Sequence, residues 1–128
     1  MKVSELSGVL LDYWVARAEG IEHPPTIRKM TPGRVLVPYE QESNDGGRVT
    51  AFRDFRPSTS WADGGPIIER ERITVAWQPM KGKWMAGLIE TENGSMLEFR
   101  WLGFDASPLV AAMRAYVSSK FGDEVTEA

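Results

Sequence analysis

The residue types best suited to chemistry gather in one stretch, Ser58-Thr59-Ser60-Trp61-Ala62-Asp63-Gly64-Gly65-Pro66, followed by Ile67-Ile68-Glu69-Arg70. A tryptophan can stack on a planar group, and glycines let a ligand come close to the main chain. Proline suits the first turn of a helix, so the spacing predicts a short helix over 67–70, with the Gly64 and Gly65 amides exposed ahead of it to an anion. Arg53 and Arg56 add charge-assisted donors, and Ser58, Thr59 and Ser60 add hydroxyls. On this reading the segment is the rim of a pocket for a small planar anion such as a nucleotide. The competing reading makes Gly-Gly-Pro a loop punctuation and Trp61, Ile67 and Ile68 anchors in the core. Neither GxxxxGK nor GxGxxG is present, so the glycines lack the spacing of a phosphate loop.

A second candidate is Arg114, set among Ala111, Ala112, Met113, Ala115 and Tyr116. A guanidinium enclosed in that way needs an anionic partner, either a carboxylate of the protein or a ligand. Catalytic groups are scarce. His23 is the single histidine and lies in Glu22-His23-Pro24-Pro25, where no partner motif supports a triad. Glu69 and Glu71 stand two apart and diverge on a helix, so they form no acid–base pair. Asp12 and Asp63 read as capping or solvated acids. No calcium-loop spacing and no HExxH motif occurs, and no cofactor or metal is expected.

The elements that must position these groups follow from periodicity and punctuation. Ser4 or Ser7 can cap a first helix carrying Leu6, Val9, Leu10, Tyr13, Trp14 and Ala18 and stopped by Gly20; its apolar residues cover most of its circumference. Prolines 24, 25 and 32 break the next segment, after which Arg34 to Tyr39 reads as a strand with Pro38 at its end or on a sheet edge. Gln41 to Gly47 is a turn, and Phe52 and Phe55 are expected to pin the following loop to the body. Three strands then form a meander: Ile73 to Gln78, Trp84 to Glu90, and Ser95 to Gly103 after the hairpin signal Asn93-Gly94. Leu97, Phe99 and Trp101 alternate with Met96, Glu98 and Arg100, predicting one covered and one wetter face. Ser107 and Pro108 open a last helix with the stripe Leu109, Met113, Tyr116 and Val117, which Gly122 closes. The expected fold is α+β: a mostly antiparallel sheet of three to four strands with the N- and C-terminal helices packed on one face, in one domain over 1–122, ahead of a frayed acidic tail, 123–128.

Composition narrows the function classes. With 128 residues, 42% hydrophobic and 26% charged, the chain matches a globular domain large enough for one core. A net charge of −3 and scattered basic residues disfavour duplex nucleic acid. The absence of cysteine excludes disulfides, zinc ribbons and thiol chemistry. The first twenty residues carry Asp12, Arg17 and Glu19 within the apolar run, which fits neither a signal peptide nor a membrane span. Of the five tryptophans, three fall in the meander, where one or two could form a stacking platform.

Three stretches, SELSGVLLDYWVARAEG, PSTSWADGGPIIERERI and SPLVAAMRAYVSSKFGDEV, resemble the NinX family of small phage and prophage proteins, whose function is not known. The family pattern places an acid where Ser60 stands. The resemblance implies a phage or prophage accessory protein acting in the bacterial cytoplasm. Proteins of that class work by occupying a host protein or a small signalling molecule. Two expectations follow: a non-catalytic binder that sequesters a nucleotide-like anion through Arg56, Ser58, Thr59, Trp61, Gly64, Gly65 and Arg114, in a counter-defence role, or a module that binds a host or phage protein through exposed aromatics. A homo-oligomer is compatible with either.

Overall fold

A computed structural model describes residues 1–21, 24, 26–27, 33–92 and 96–126. Its hub is the helix α3, Pro108–Phe121, to which α1 (Gly8–Ala18), α2 (Trp61–Glu71) and a meander of β4 (Thr74–Gln78), β5 (Lys83–Glu92) and β6 (Met96–Asp105) all attach. The start and stop of α3 follow from local chemistry. Ser107 Oγ accepts from Val110 N at 3.3 Å, Pro108 fills the first turn, and Gly122 ends the helix with φ at 85°. Burial extends well past the expected stripe, taking in Ala111, Ala112 and Ala115 beside Leu109, Met113, Tyr116 and Val117. A helix apolar on every side has to be enclosed, and here the meander, α1 and α2 enclose it.

Small residues set how closely α3 lies on the sheet. Ala86 and Gly103 face each other across β5 and β6, and a Cβ added to Gly103 would overlap the Ala111 carbonyl and lie 2.9 Å from Ala115 N. The register passes from Gly87↔Trp101 to Ala86↔Gly103, so Leu102 is an extra residue that reverses the phase of β6. Gly103 therefore faces α3, whereas Phe99 and Trp101 lie on the opposite face, where the Phe99 ring leans over Gly87. This corrects the expectation that Phe99 and Trp101 belong to the covered face. Rings of that size do not fit where helix and sheet backbones touch. The side chain of Leu97 and the Asn93-Gly94 turn lie outside the described residues, as does His23.

The expected α+β class holds, with antiparallel strands divided between two three-stranded sheets. The second sheet is β1 (Thr26–Ile27), β2 (Arg34–Glu42) and β3 (Arg48–Asp54), with β2 and β3 paired from Leu36↔Asp54 to Glu42↔Arg48. The strand therefore runs on through Pro38, and the segment expected to be a loop is β3. At Pro38 a ladder to β3 lies on one side and no described strand on the other, so a missing N–H is tolerated. Phe55 is buried as expected, while Phe52 projects to solvent. The turn Ser43 to Gly47 closes with Ser43 N donating to Gly47 O and Gly46 at φ 84°.

Residues 123–125, expected to fray, are held to the first three residues. Val3 N donates to Asp123 O at 2.9 Å, Met1 N and Val125 N each donate to the other residue's carbonyl, and Val125 is buried. At the far end of α1, Glu19 accepts a two-pronged ion pair from Arg70 and a hydrogen bond from Tyr116 Oη at 2.6 Å, tying α1, α2 and α3 together. Burial acts to raise the Glu19 pKa, but these bonds and the Arg70 and Lys120 charges hold the carboxyl below its usual range.

Candidate functional site

The segment singled out from the sequence forms the start of α2 and the turn leading into it. Ser60 stands at the N-cap, and the helix runs from Trp61 straight through Gly64, Gly65 and Pro66. The short helix expected over 67–70 is thus corrected to one that starts six residues earlier. Proline in a helix interior leaves one carbonyl, that of Ala62, without its donor; both Ala62 and Pro66 are exposed, so water can satisfy it. Gly64 N donates to Ser60 O at 2.8 Å, which removes it as an anion donor. Its lack of a side chain has a packing reason, because a Cβ there would sit 2.5 Å from Pro57 O and 2.8 Å from Leu109 Cδ2. At Gly65 nothing beyond the chain neighbours would meet a Cβ; the reason there is Pro66, because a side chain ahead of a proline disfavours the helical conformation.

Two aspartates shape the turn. Asp63, in the first turn of α2, accepts from Arg56 N at 2.9 Å through Oδ2 and from Arg53 Nη1 at 3.0 Å through Oδ1. Asp12, on α1, accepts from Ser58 N at 2.9 Å and is only 5% exposed. Burial pushes the Asp12 carboxyl up to about 6, against the lowering effect of the bonding from Ser58. Both acids accept main-chain amides of the turn ahead of α2, and Asp12 does so from a buried position within α1, neither at a helix end nor in solvent as expected.

Around Trp61 the charges are unevenly placed. Arg34 and Arg56 pair with Asp54, and Arg53 pairs with Asp63, so three guanidinium groups meet two carboxylates in a chain that is negative overall. The Asp63 carboxylate is turned inward and largely covered, while the Arg53 and Arg56 side chains are about half exposed. Trp61 itself is 57% exposed, so it is not a core plug. Arg56 and Thr59 line a cavity of about 150 Å³ together with Gly8, Val9, Asp12 and Gly33.

The remaining expected site residues serve the fold. Ser58 is 1% exposed and its hydroxyl has no partner in the structure, so it cannot be a rim donor. Arg114 donates to Leu6 O at 2.8 Å, Phe104 O at 2.7 Å and Asp105 Oδ1 at 3.1 Å, bracing the end of β6 against the N-terminal segment. Among the described residues no group of three His, Asp or Glu could hold a metal. A larger cavity, about 400 Å³, opens between the N-terminal segment and residues 123–124, lined also by Leu102 and Ser118 and by none of the expected site residues. A second aromatic surface, Ile89, Phe99, Trp101 and Phe104 on the outer face of the meander, was foreseen only as a platform of one or two tryptophans, its other members being hidden by the phase reversal at Leu102.

The fold is α+β and centred on α3, with an exposed tryptophan at the start of α2 and a cavity of about 150 Å³ beside the turn that leads into it. The chain belongs to the bacteriophage P22 NinX family, whose sequence profile matches residues 2–120. It is therefore a phage- or prophage-associated protein. Among curated proteins, none matches it.

Proposed function

We propose that the protein is a non-catalytic binding protein of the bacterial cytoplasm whose contact surface is Trp61 flanked by Arg53 and Arg56. Its partner is a host or phage protein that presents an acidic segment beside an apolar anchor. The observation that carries this reading is the exposure of Trp61 on the first turn of α2, the same turn whose largely covered Asp63 holds the half-exposed Arg53. Tryptophan and arginine are the residues most enriched where protein interfaces concentrate their affinity. The nearby cavity, at about 150 Å³, is smaller than the roughly 300 Å³ from which small-molecule pockets begin, which favours open contact over engulfment.

The second reading, sequestration of a nucleotide-like anion in a counter-defence role, draws support from Arg56 and Thr59 lining that cavity two residues before Trp61. One experiment separates the two. A partner captured from host lysate is purified and titrated against wild type, Trp61→Ala and Arg53→Glu/Arg56→Glu, in parallel with a panel of cyclic and ADP-ribose-type nucleotides. The expected result is binding that weakens at least tenfold in Trp61→Ala, about 1.4 kcal/mol, and falls with added salt, with no heat from the nucleotides. Partner binding indifferent to Trp61, or tight binding of a nucleotide, overturns the protein-contact reading.

A further inference from the structure

We propose that two copies of this chain pair edge to edge along β3, antiparallel about Ala51, to make one continuous six-stranded sheet across a twofold axis. The outer edge of β3, Arg48–Asp54, is not paired by any described segment, so half of its backbone N–H and C=O groups face outward as a template for another strand. From Tyr39 outward the β2–β3 hairpin leaves the body of the protein. The face that buries Val35 and Val37 in the core continues along the hairpin as Tyr39, Val49 and Ala51, with Gln41 and Arg53 among them, and Tyr39 and Val49 are exposed. An isolated two-stranded ribbon is marginal in water, and three or more strands are needed to support an apolar face.

The sequence of β3 selects a second copy as the occupant. Antiparallel self-pairing about Ala51 aligns all seven residues and sets Arg48 of each copy opposite Asp54 of the other, Val49 opposite Arg53, and Thr50 opposite Phe52. Charged side chains ordinarily guard an edge strand against pairing. Here they complement one another twice, as an isologous interface requires, and no like charges face each other. Asp54 already binds Arg34 and Arg56, so the incoming Arg48 joins an existing ion-pair network. This association uses β3, Arg53 of the proposed contact surface included, and leaves Trp61 and Arg56 outside the strand pairing.

The chain has no cysteine, so a single introduced one reports on the pairing. Only Ala51 faces its own counterpart, and residues directly opposite in an antiparallel pair lie within disulfide reach. Under mild oxidation Ala51→Cys is expected to form a covalent dimer at least about tenfold faster than Val49→Cys, whose counterpart is Arg53. Wild type is expected to sediment at twice 14.3 kDa, and Thr50→Pro, which removes one outward-facing donor from the edge, at 14.3 kDa with unchanged helix content. A wild-type monomer at all concentrations, or a dimer in which Ala51→Cys and Val49→Cys cross-link equally fast, overturns the proposal.

Discussion

At the scale of single residues, the neighbouring glycines of α2 make different predictions. Gly64→Ala forces a Cβ against the Pro57 carbonyl and Leu109, and overpacking of that kind costs about 1–3 kcal/mol. Gly65→Ala meets nothing beyond its chain neighbours, but a Cβ ahead of Pro66 disfavours the helical conformation, which offsets the roughly 0.5–1 kcal/mol gain in helix propensity and leaves a smaller change than at Gly64. Urea denaturation of the two variants reads the difference. Asp12 gives a pH prediction. Its carboxyl titrates near pH 6 in the fold and near the ordinary aspartate value when unfolded. Between about pH 4 and 6 the folded state holds a proton that the unfolded state has lost, so this residue makes stability fall as pH rises through that window and level off above it. Asp12→Asn keeps an oxygen for the Ser58 amide, removes that slope, and should be more stable than wild type by about 1–3 kcal/mol near pH 7.5. The comparison has to be the difference between the two proteins, because Glu19, whose pKa is lowered, contributes the opposite slope.

Among the elements, legibility tracked how local the determining physics is. Helix α3 announced itself through Ser107, Pro108 and Gly122, and the meander through alternation and its turns, since each signal acts over a few residues. The start of α2 was misplaced because Pro66 resembles a first-turn proline; what overrides it is a capping arrangement around Ser60 and Asp63 that involves Arg53 and Arg56 in the preceding segment. Of the expected binding residues, Trp61, Arg56 and Thr59 do lie at an accessible surface, while Ser58, Gly64 and Arg114 were taken up by contacts with Asp12, Leu109 and Leu6, distant in sequence and so invisible in it. The outer aromatic face of the meander was foreseen only as a platform of one or two of its tryptophans, and its other members were hidden because one extra residue, Leu102, inverts the pattern that periodicity extrapolates. The closest seam between elements is the most sensitive. Gly103→Ala would push the sheet off the Ala111 carbonyl, and a loss of more than about 3 kcal/mol is expected, measurable as a fall in Tm or a failure to fold.

For the whole molecule, the strand-like pairing of residues 1–3 with 123–125 makes the last described residues part of the fold. Val125→Asp places a charge at a buried position and is expected to destabilise by about 2–4 kcal/mol, with thermal melting as the readout. The position of α3 has a wider consequence. The meander, α1 and α2 each rest on a helix that follows every other described helix and strand in chain order. A ribosome emitting this polypeptide therefore releases the hairpins and the first two helices before the piece that covers them emerges. Strand pairs can close on their own registers, but burial of the central core waits for the last helix, and until then the nascent product carries bare apolar surface open to aggregation.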